Sequence, residues 1–204
     1  MPASIRVPPT AWIPVRRPGW MRGPAVPDAL RAPTLVTERL VLRPHRLRDA
    51  DAWYALQSDP AVVEHLDWPL RSRAASFKHL LDRTHHDRLE REGDFLALAV
   101  VREGDLVGDV SLHFRNIDPD HREFEVGWVL APAAQGHGYA REAAAAMLEL
   151  AFTRLAARRV TAKMAEANEP SRALAERLGF SEVGEAGGIR EMVLDRPVGD
   201  ASGD

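Results

Sequence analysis

Residues 126–141 constrain this chain more than any other stretch. Val126-Gly127-Trp128-Val129-Leu130-Ala131-Pro132 is an apolar run that closes on a proline, and Gln135-Gly136-His137-Gly138-Tyr139-Ala140 then leads into an alanine-rich helix running to about Ala156. Over Arg122–Leu130 the alternation places Phe124, Val126, Trp128 and Leu130 on one face of a strand, with Glu123, Glu125, Gly127 and Val129 on the other. A helix that starts directly after such a turn leaves its first N–H groups unpaired and carries partial positive charge there. Glycines let the backbone come close to an anion. The pattern predicts a cradle of main-chain amides able to hold a pyrophosphate. It is not a Walker loop, because no Gly-Lys-Ser/Thr follows the glycines. It is not a Rossmann fingerprint either, because the third small residue is out of register and the turn comes late in the chain.

The rest of the sequence supplies a frame for that turn. A short strand is expected at Leu40–Pro44 and a helix at Asp49–Gln57, stopped by Ser58-Asp59-Pro60. Ser72 can cap a second helix reaching about Glu90, with Phe77, Leu80, Leu81 and Thr84 on its inner face. Phe95–Val101 and Leu106–Phe114 read as a hairpin turned by Glu103-Gly104-Asp105. Strand Arg158–Ala165, a helix from Pro170 to Gly179, and closing strands at Ser181–Gly184 and Ile189–Arg196 complete the order. A strand–helix–strand unit over 122–165 requires a right-handed parallel crossover. The fold class is therefore α/β (α+β), with a mixed, mostly antiparallel sheet flanked by helices.

Composition removes several classes of function. With no cysteine there is no disulfide scaffold, thiolate metal site or cysteine nucleophile. A net charge of −3 gives no general attraction to nucleic acid or to an anionic membrane. No stretch approaches the roughly 18 apolar residues of a membrane span. Eight prolines and scattered arginines before residue 34 rule out both a signal-peptide core and a long helix. Residues 1–33 are expected to be a poorly ordered arm, 34–198 the folded domain and 199–204 a frayed tail, in a cytoplasmic protein. Trp12 and Trp20 in the arm offer a contact to the domain or to a second subunit, which leaves a homodimer open.

Seven short pieces, in order, resemble the GNAT superfamily. They are Thr37-Glu38-Arg39-Leu40-Val41-Leu42-Arg43-Pro44, Asp49-Ala50-Asp51-Ala52, Ser58-Asp59-Pro60-Ala61-Val62, Leu106-Val107-Gly108, Glu125-Val126-Gly127-Trp128, Gly136-His137-Gly138-Tyr139-Ala140-Arg141-Glu142, and Asn168-Glu169-Pro170-Ser171 with Leu178-Gly179-Phe180. Gln135, Gly138 and Ala140 fill the superfamily's Gln/Arg-x-x-Gly-x-Gly/Ala signature. The narrower resemblance is to the RimJ/RimL-type ribosomal-protein N-terminal acetyltransferases and their small-molecule-modifying relatives. It covers about residues 34–195.

That resemblance implies an acyl-CoA-dependent N-acetyltransferase whose donor substrate is acetyl-CoA. The amides of Gln135, Gly136, His137, Gly138, Tyr139, Ala140 and Arg141 would hold the CoA pyrophosphate. The strand before the loop would splay from its neighbour at a bulge, and pantetheine would pair with backbone near Val129 and Leu130. Asn168 would touch the cofactor arm as well as cap its helix. Transfer to an amine needs a proton acceptor, a stabilised carbonyl oxygen and a leaving thiolate. Glu125 is the expected base, with Glu123 a competitor, and an N–H near Leu130 is the expected oxyanion donor. Many relatives carry a tyrosine as acid for the thiol. Ala175 stands there in this chain, and Ser171 is the alternative donor.

The acceptor is expected to be a protein N-terminus or a small amine. It would be framed by Val62–Trp68, the helix from Ser72, and Asn116–Arg122, with Glu64, Asp67, Asp118 and Asp120 attracting the cationic amine. Trp68 reads as a pocket floor or as a loop anchor. His113 and His121 flank the acceptor side, and His137 can turn its ring toward phosphate. The eight histidines show no zinc spacing, so no metal is expected. Ala175 leaves a second reading, a non-catalytic acyl-CoA-binding sensor or scaffold.

Overall fold

A computed structural model describes residues 23–64, 66 and 68–196. Trp12, Trp20, Asp67 and the C-terminal tail lie outside the described residues. The strands are β1 (Ala25–Arg31), β2 (Leu35–Val36) and β3 (Val41–Pro44), followed by helices α1 (Ala50–Ser58), α2 (Pro60–Val63) and α3 (Arg73–His85). Next come β4 (Arg88–Arg91), β5 (Phe95–Arg102), β6 (Asp105–Asn116) and β7 (Glu123–Leu130). Helix α4 (Tyr139–Glu149), strand β8 (Arg159–Ala165), helix α5 (Glu169–Arg177) and strands β9 (Ser181–Ala186) and β10 (Ile189–Asp195) close the chain.

Eight strands form one mixed sheet in the order β2-β3-β5-β6-β7-β8-β10-β9. Every described pair in it is antiparallel except β7–β8, which is parallel, as the strand–helix–strand unit requires. Six of the eight residues of β5 are buried, because both faces of that strand are covered. The β5–β6 turn places Glu103 at φ 53° and Gly104 at φ 98°, the two positive angles of a tight hairpin turn.

Two cores lie on opposite faces of the sheet. Phe124, Val126 and Leu130 of β7 join the larger one with Ala143 and Met147 of α4. Val129 points the other way and packs against Trp53, Leu56, Val62 and Leu80 from α1–α3. A buried fork from Arg43 to both Asp49 oxygens, at 2.8 and 2.7 Å, ties β3 to the start of α1. Burial alone would raise the Asp49 carboxyl, but the Arg43 bonds and charge, with the Arg46 amide, hold it below the usual range.

Three expectations are corrected. Residues 25–31 are not part of a poorly ordered arm, because Ala25–Arg31 pairs antiparallel with β4 in a two-stranded sheet. Pro24 and Pro27 permit this, since an outer strand does not need every N–H. The helix capped by Ser72 stops at His85 instead of reaching Glu90, and Arg88–Arg91 is the partner strand. The inner face of that helix is Ser76, Leu80 and Arg83, while Phe77 and Leu81 are exposed. Arg83 turns inward because Asp109 pairs with it there.

Gly108 of β6 faces Leu130, and a Cβ placed on it would lie 2.3 Å from both the Val129 carbonyl oxygen and Leu130 Cδ2. The obstacle is backbone and cannot swing away. Gly108→Ala is expected to destabilise the protein by roughly 1–3 kcal/mol. The check is a lower urea midpoint at unchanged slope.

Candidate active site

The sheet opens at its centre. Parallel pairing of β7 with β8 is confined to Glu123↔Arg159, Phe124↔Val160 and Glu125↔Thr161. Beyond Glu125, β7 stays paired with β6 as far as Leu130 but has no partner on the β8 side. The expected splay is therefore present. The register irregularity in this pair of strands lies instead in β6 between Phe114 and Asn116, at the far end from Leu130.

A cavity of about 220 Å³ fills the opening. Val126, Gly127, Trp128 and Val129 form one wall, and Ala162, Lys163 and Met164 of β8 the other. Asn168 and Ser171 of α5 close it on one face of the sheet. On the other face it reaches Asp109, Ser111 and His113 of β6, Arg83 of α3, and Leu66 and Trp68. It therefore connects both faces of the sheet through the gap.

Beyond the end of β7 stands the glycine turn. Gly136 and Gly138 have φ of 78° and 82°, and Gly138 is the N-cap of α4. A left-handed N-cap without a side chain leaves the first turn of the helix uncovered. The N–H groups of residues 136–141 have no partner among the described residues. The turn is held from outside. Glu142 accepts bonds from Thr37 Oγ1 (2.6 Å), the Arg39 amide (2.8 Å) and Arg39 Nε (2.7 Å). Burial would raise its carboxyl, yet these bonds and the Arg39 charge bring it below the ordinary value. Arg39 Nη1 also donates to the His137 carbonyl at 2.9 Å. The Gln135 side chain donates to the Leu130 carbonyl, 3.1 Å away, joining strand end to loop. Tyr139 is buried, its ring stacked with His137 and covered by Arg39 and Arg102. The His137 ring bonds the Gln135 carbonyl through Nδ1 at 2.7 Å, so that nitrogen is engaged within the loop.

The remaining expected residues divide. Val129, Asn168 and Ser171 meet at the cavity. Asn168 accepts from the Ser171 amide at 3.1 Å as the cap of α5. Trp128 Nε1 donates to Ser171 Oγ at 3.3 Å, which leaves the hydroxyl hydrogen free for another acceptor. Leu130 is packed in the larger core. Glu125 lies on the α1–α3 face opposite His113, outside the cavity wall, with both oxygens held by Arg115 at 3.0 and 3.1 Å. Asp118, Asp120, Glu64 and His121 do not line the cavity. Asp118 instead accepts from the Asp120 amide and pairs with His121 on an exposed loop.

Several residues here escaped the sequence reading, above all Asp109, Ser111 and Arg83. Asp109 is buried and takes His45 Nε2 at 2.7 Å and Arg83 Nη1 at 3.1 Å on one oxygen. Desolvation works to raise it, but the Arg83 charge and the His45 bond prevail and keep it ionised. The signal was present: Asp109, Ser111 and His113 form a polar stripe at i, i+2 and i+4 on an otherwise apolar strand. Trp68 serves in both of its expected roles, lining the cavity and packing on Trp53 and His79.

The model of the acetyltransferase (GNAT) domain matches residues 39–181. The chain belongs to the GNAT acetyltransferase family. As a GNAT protein it is an acyl-CoA-dependent N-acetyltransferase. It is 29% identical over 151 residues to the uncharacterized N-acetyltransferase p20 of Bacillus licheniformis, covering 74% of this chain and 84% of that protein. The GNAT-family acetyltransferase from Bacillus anthracis has the same fold, with a TM-score of 0.69 and 22% identity over 80% of this chain and 99% of that one. So does RimL, the ribosomal L7/L12 alpha-N-protein acetyltransferase solved with coenzyme A, at a TM-score of 0.64 and 22% identity over 81% and 98% of the two chains. In this GNAT domain, the seven sequence pieces all fall on the splayed sheet or on the elements that hold it.

Two histidines, His113 in the cavity wall and His79 packed on Trp53 and Trp68, make stability depend on pH. Burial, then the charge of Arg115 and Arg83, lowers His113 to about 3. Burial, then Arg83 and Arg71, lowers His79 to about 3. Unfolded, both titrate near 6.5. Below pH 6.5 the unfolded chain therefore binds protons that the folded state refuses, and stability falls as pH drops toward 3. Each group contributes up to about 1.4 kcal/mol per pH unit. Urea unfolding at pH 7, 6 and 5 is expected to show this decline, with a shallower slope in His113→Gln.

Proposed function

We propose that this chain transfers the acetyl group of acetyl-CoA to a primary amine by direct attack within a ternary complex, and that the acceptor is a protein N-terminus or a small amine. The observation that carries this is the pairing of six amides at residues 136–141, which have no partner among the described residues, with a gap in the sheet that begins at the same strand. The amides suit a diphosphate. The unpaired edge of β7 near Val129 and Leu130 suits the two amides of a pantetheine arm. Asn168 stands where that arm would pass.

The chemistry then falls to a few side chains. The acceptor nitrogen forms a bond to the acetyl carbon while the carbon–sulfur bond breaks, and the amine loses a proton. Glu125 takes that proton, through water, since its carboxylate lies beside the cavity and not in its wall. An N–H of β7 near Leu130 stabilises the carbonyl oxygen as charge develops. Ser171 relays a proton from solvent to the departing sulfur, giving up its own and recovering one from water, with Trp128 fixing its oxygen. The chain has no cysteine to form an acyl-enzyme, which favours direct transfer. RimL acts on ribosomal protein L7/L12, and a protein N-terminus as acceptor here rests on that likeness of fold.

Acetylation of an amine panel with acetyl-CoA, followed by thiol release, tests the reading. Glu125→Gln is expected to lower kcat by roughly 10²–10⁴ with CoA affinity little changed. Unchanged turnover would remove Glu125 from its role. Gly138→Glu is expected to abolish CoA binding in calorimetry, because bulk and negative charge enter the cradle at a residue whose φ of 82° suits glycine.

A further inference from the structure

Cations govern the acceptor end of the cavity. Arg83 lines it while only 8% exposed, and Asp109 occupies its Nη1. The Arg83 Nε is buried and has no hydrogen-bond partner among the described residues. Arg71, just before the Ser72 cap of α3, has a buried Nη1 that is also unpartnered among the described residues. Both guanidiniums stand over the Trp68 ring, at 5.5 Å for Arg71 and 5.8 Å for Arg83. Burial, together with the Arg83 charge, lowers the pKa of Arg71. Among the described residues, the one carboxylate in the cavity wall is Asp109, and His45 shares it. Lys163 in the opposite wall adds a further positive charge, half-exposed and 3.5 Å from Glu191. The two histidines nearby are neutral at physiological pH.

A buried guanidinium with an orphaned Nε is costly unless something polar completes it. The edge formed by Nε and Nη2 is the one that grips a carboxylate or phosphate through two parallel bonds. Arg115 uses that same edge on Glu125 in this protein. We propose that the acceptor amine carries an oxyanion, a carboxylate or a phosphate, bound by the Nε–Nη2 edge of Arg83 beside Trp68, with Arg71 supplying long-range attraction. This rests on the acetyl-transfer reading and narrows its substrate class. It also reverses the charge expected from the sequence, in which acids around the pocket attract the acceptor.

Matched acceptors test it. The C-terminally amidated tripeptides Ser-Glu-Ala and Ser-Gln-Ala differ only in the anion, as do O-phosphoethanolamine and ethanolamine. The anionic member of at least one pair should show about ten- to a hundredfold higher kcat/KM, the scale of a charged hydrogen bond. The pair that responds tells an acidic peptide from a phosphorylated small amine. Arg83→Gln should bring the ratio near one, and Arg83→Lys should retain only part of it. Should these variants fold poorly, Arg71→Gln leaves the Arg83–Asp109 pair in place and should still lower the ratio. Calorimetry of the same acceptors on the CoA-loaded protein reads selectivity without turnover. Selective binding without acetylation would reject the proposed reaction yet support the anion site. Turnover or binding that is equal within both pairs overturns the inference and leaves acetyl transfer standing. A ratio that survives in folded Arg83→Gln overturns it as well.

Discussion

Hydrogen bonding between β7 and β8 stops after Glu125 and Thr161, and the site depends on that stop. A strand paired on both sides offers no main-chain groups to a ligand. Here β7 keeps β6 on one side through Leu130 and is open on the other from Val126 onward. The same divergence makes room for the cavity, exposes the Trp128–Ser171 contact to it, and ends the strand where the glycine turn begins. Gly108 protects the arrangement from the rear, since any larger residue would push against the Val129 carbonyl and Leu130.

Charge around the opening is arranged in layers. The ion pair that serves the framework, Arg43 with Asp49, is closed on itself. The group facing the cavity is left incomplete. Asp109 takes His45 and Arg83 on one oxygen, whereas Arg83 keeps donors to spare. Buried charge of this kind contributes little net stability and is better explained by recognition.

Much of this was legible in the chain, because the informative signals were local. Alternation in Arg122–Leu130, the Gln135–Ala140 turn, the Asn168 cap and the parallel crossover follow from spacing and backbone chemistry alone. The errors came where tertiary partners override local preference. Phe77 and Leu81 carry the hydrophobicity of α3, yet Arg83 faces inward because a carboxylate 26 residues further along awaits it. Arg88–Arg91 is polar enough to extend a helix on paper and becomes a strand only because Ala25–Arg31 pairs with it. Asp109, Ser111 and His113 mark a polar stripe on β6, but nothing local says that a cavity undercuts that face.

The strap from Thr37 and Arg39 to Glu142 has a further consequence. It joins the rim of the sheet to the first turn of α4 across more than a hundred residues of chain. The loop amides are thereby oriented before any ligand arrives, so little ordering entropy is lost on binding. Under the proposed reading, the hold of those amides on a diphosphate is only as firm as that edge of the sheet. Fraying of β2, an edge strand of two residues, would slacken the turn while the centre of the sheet stayed intact.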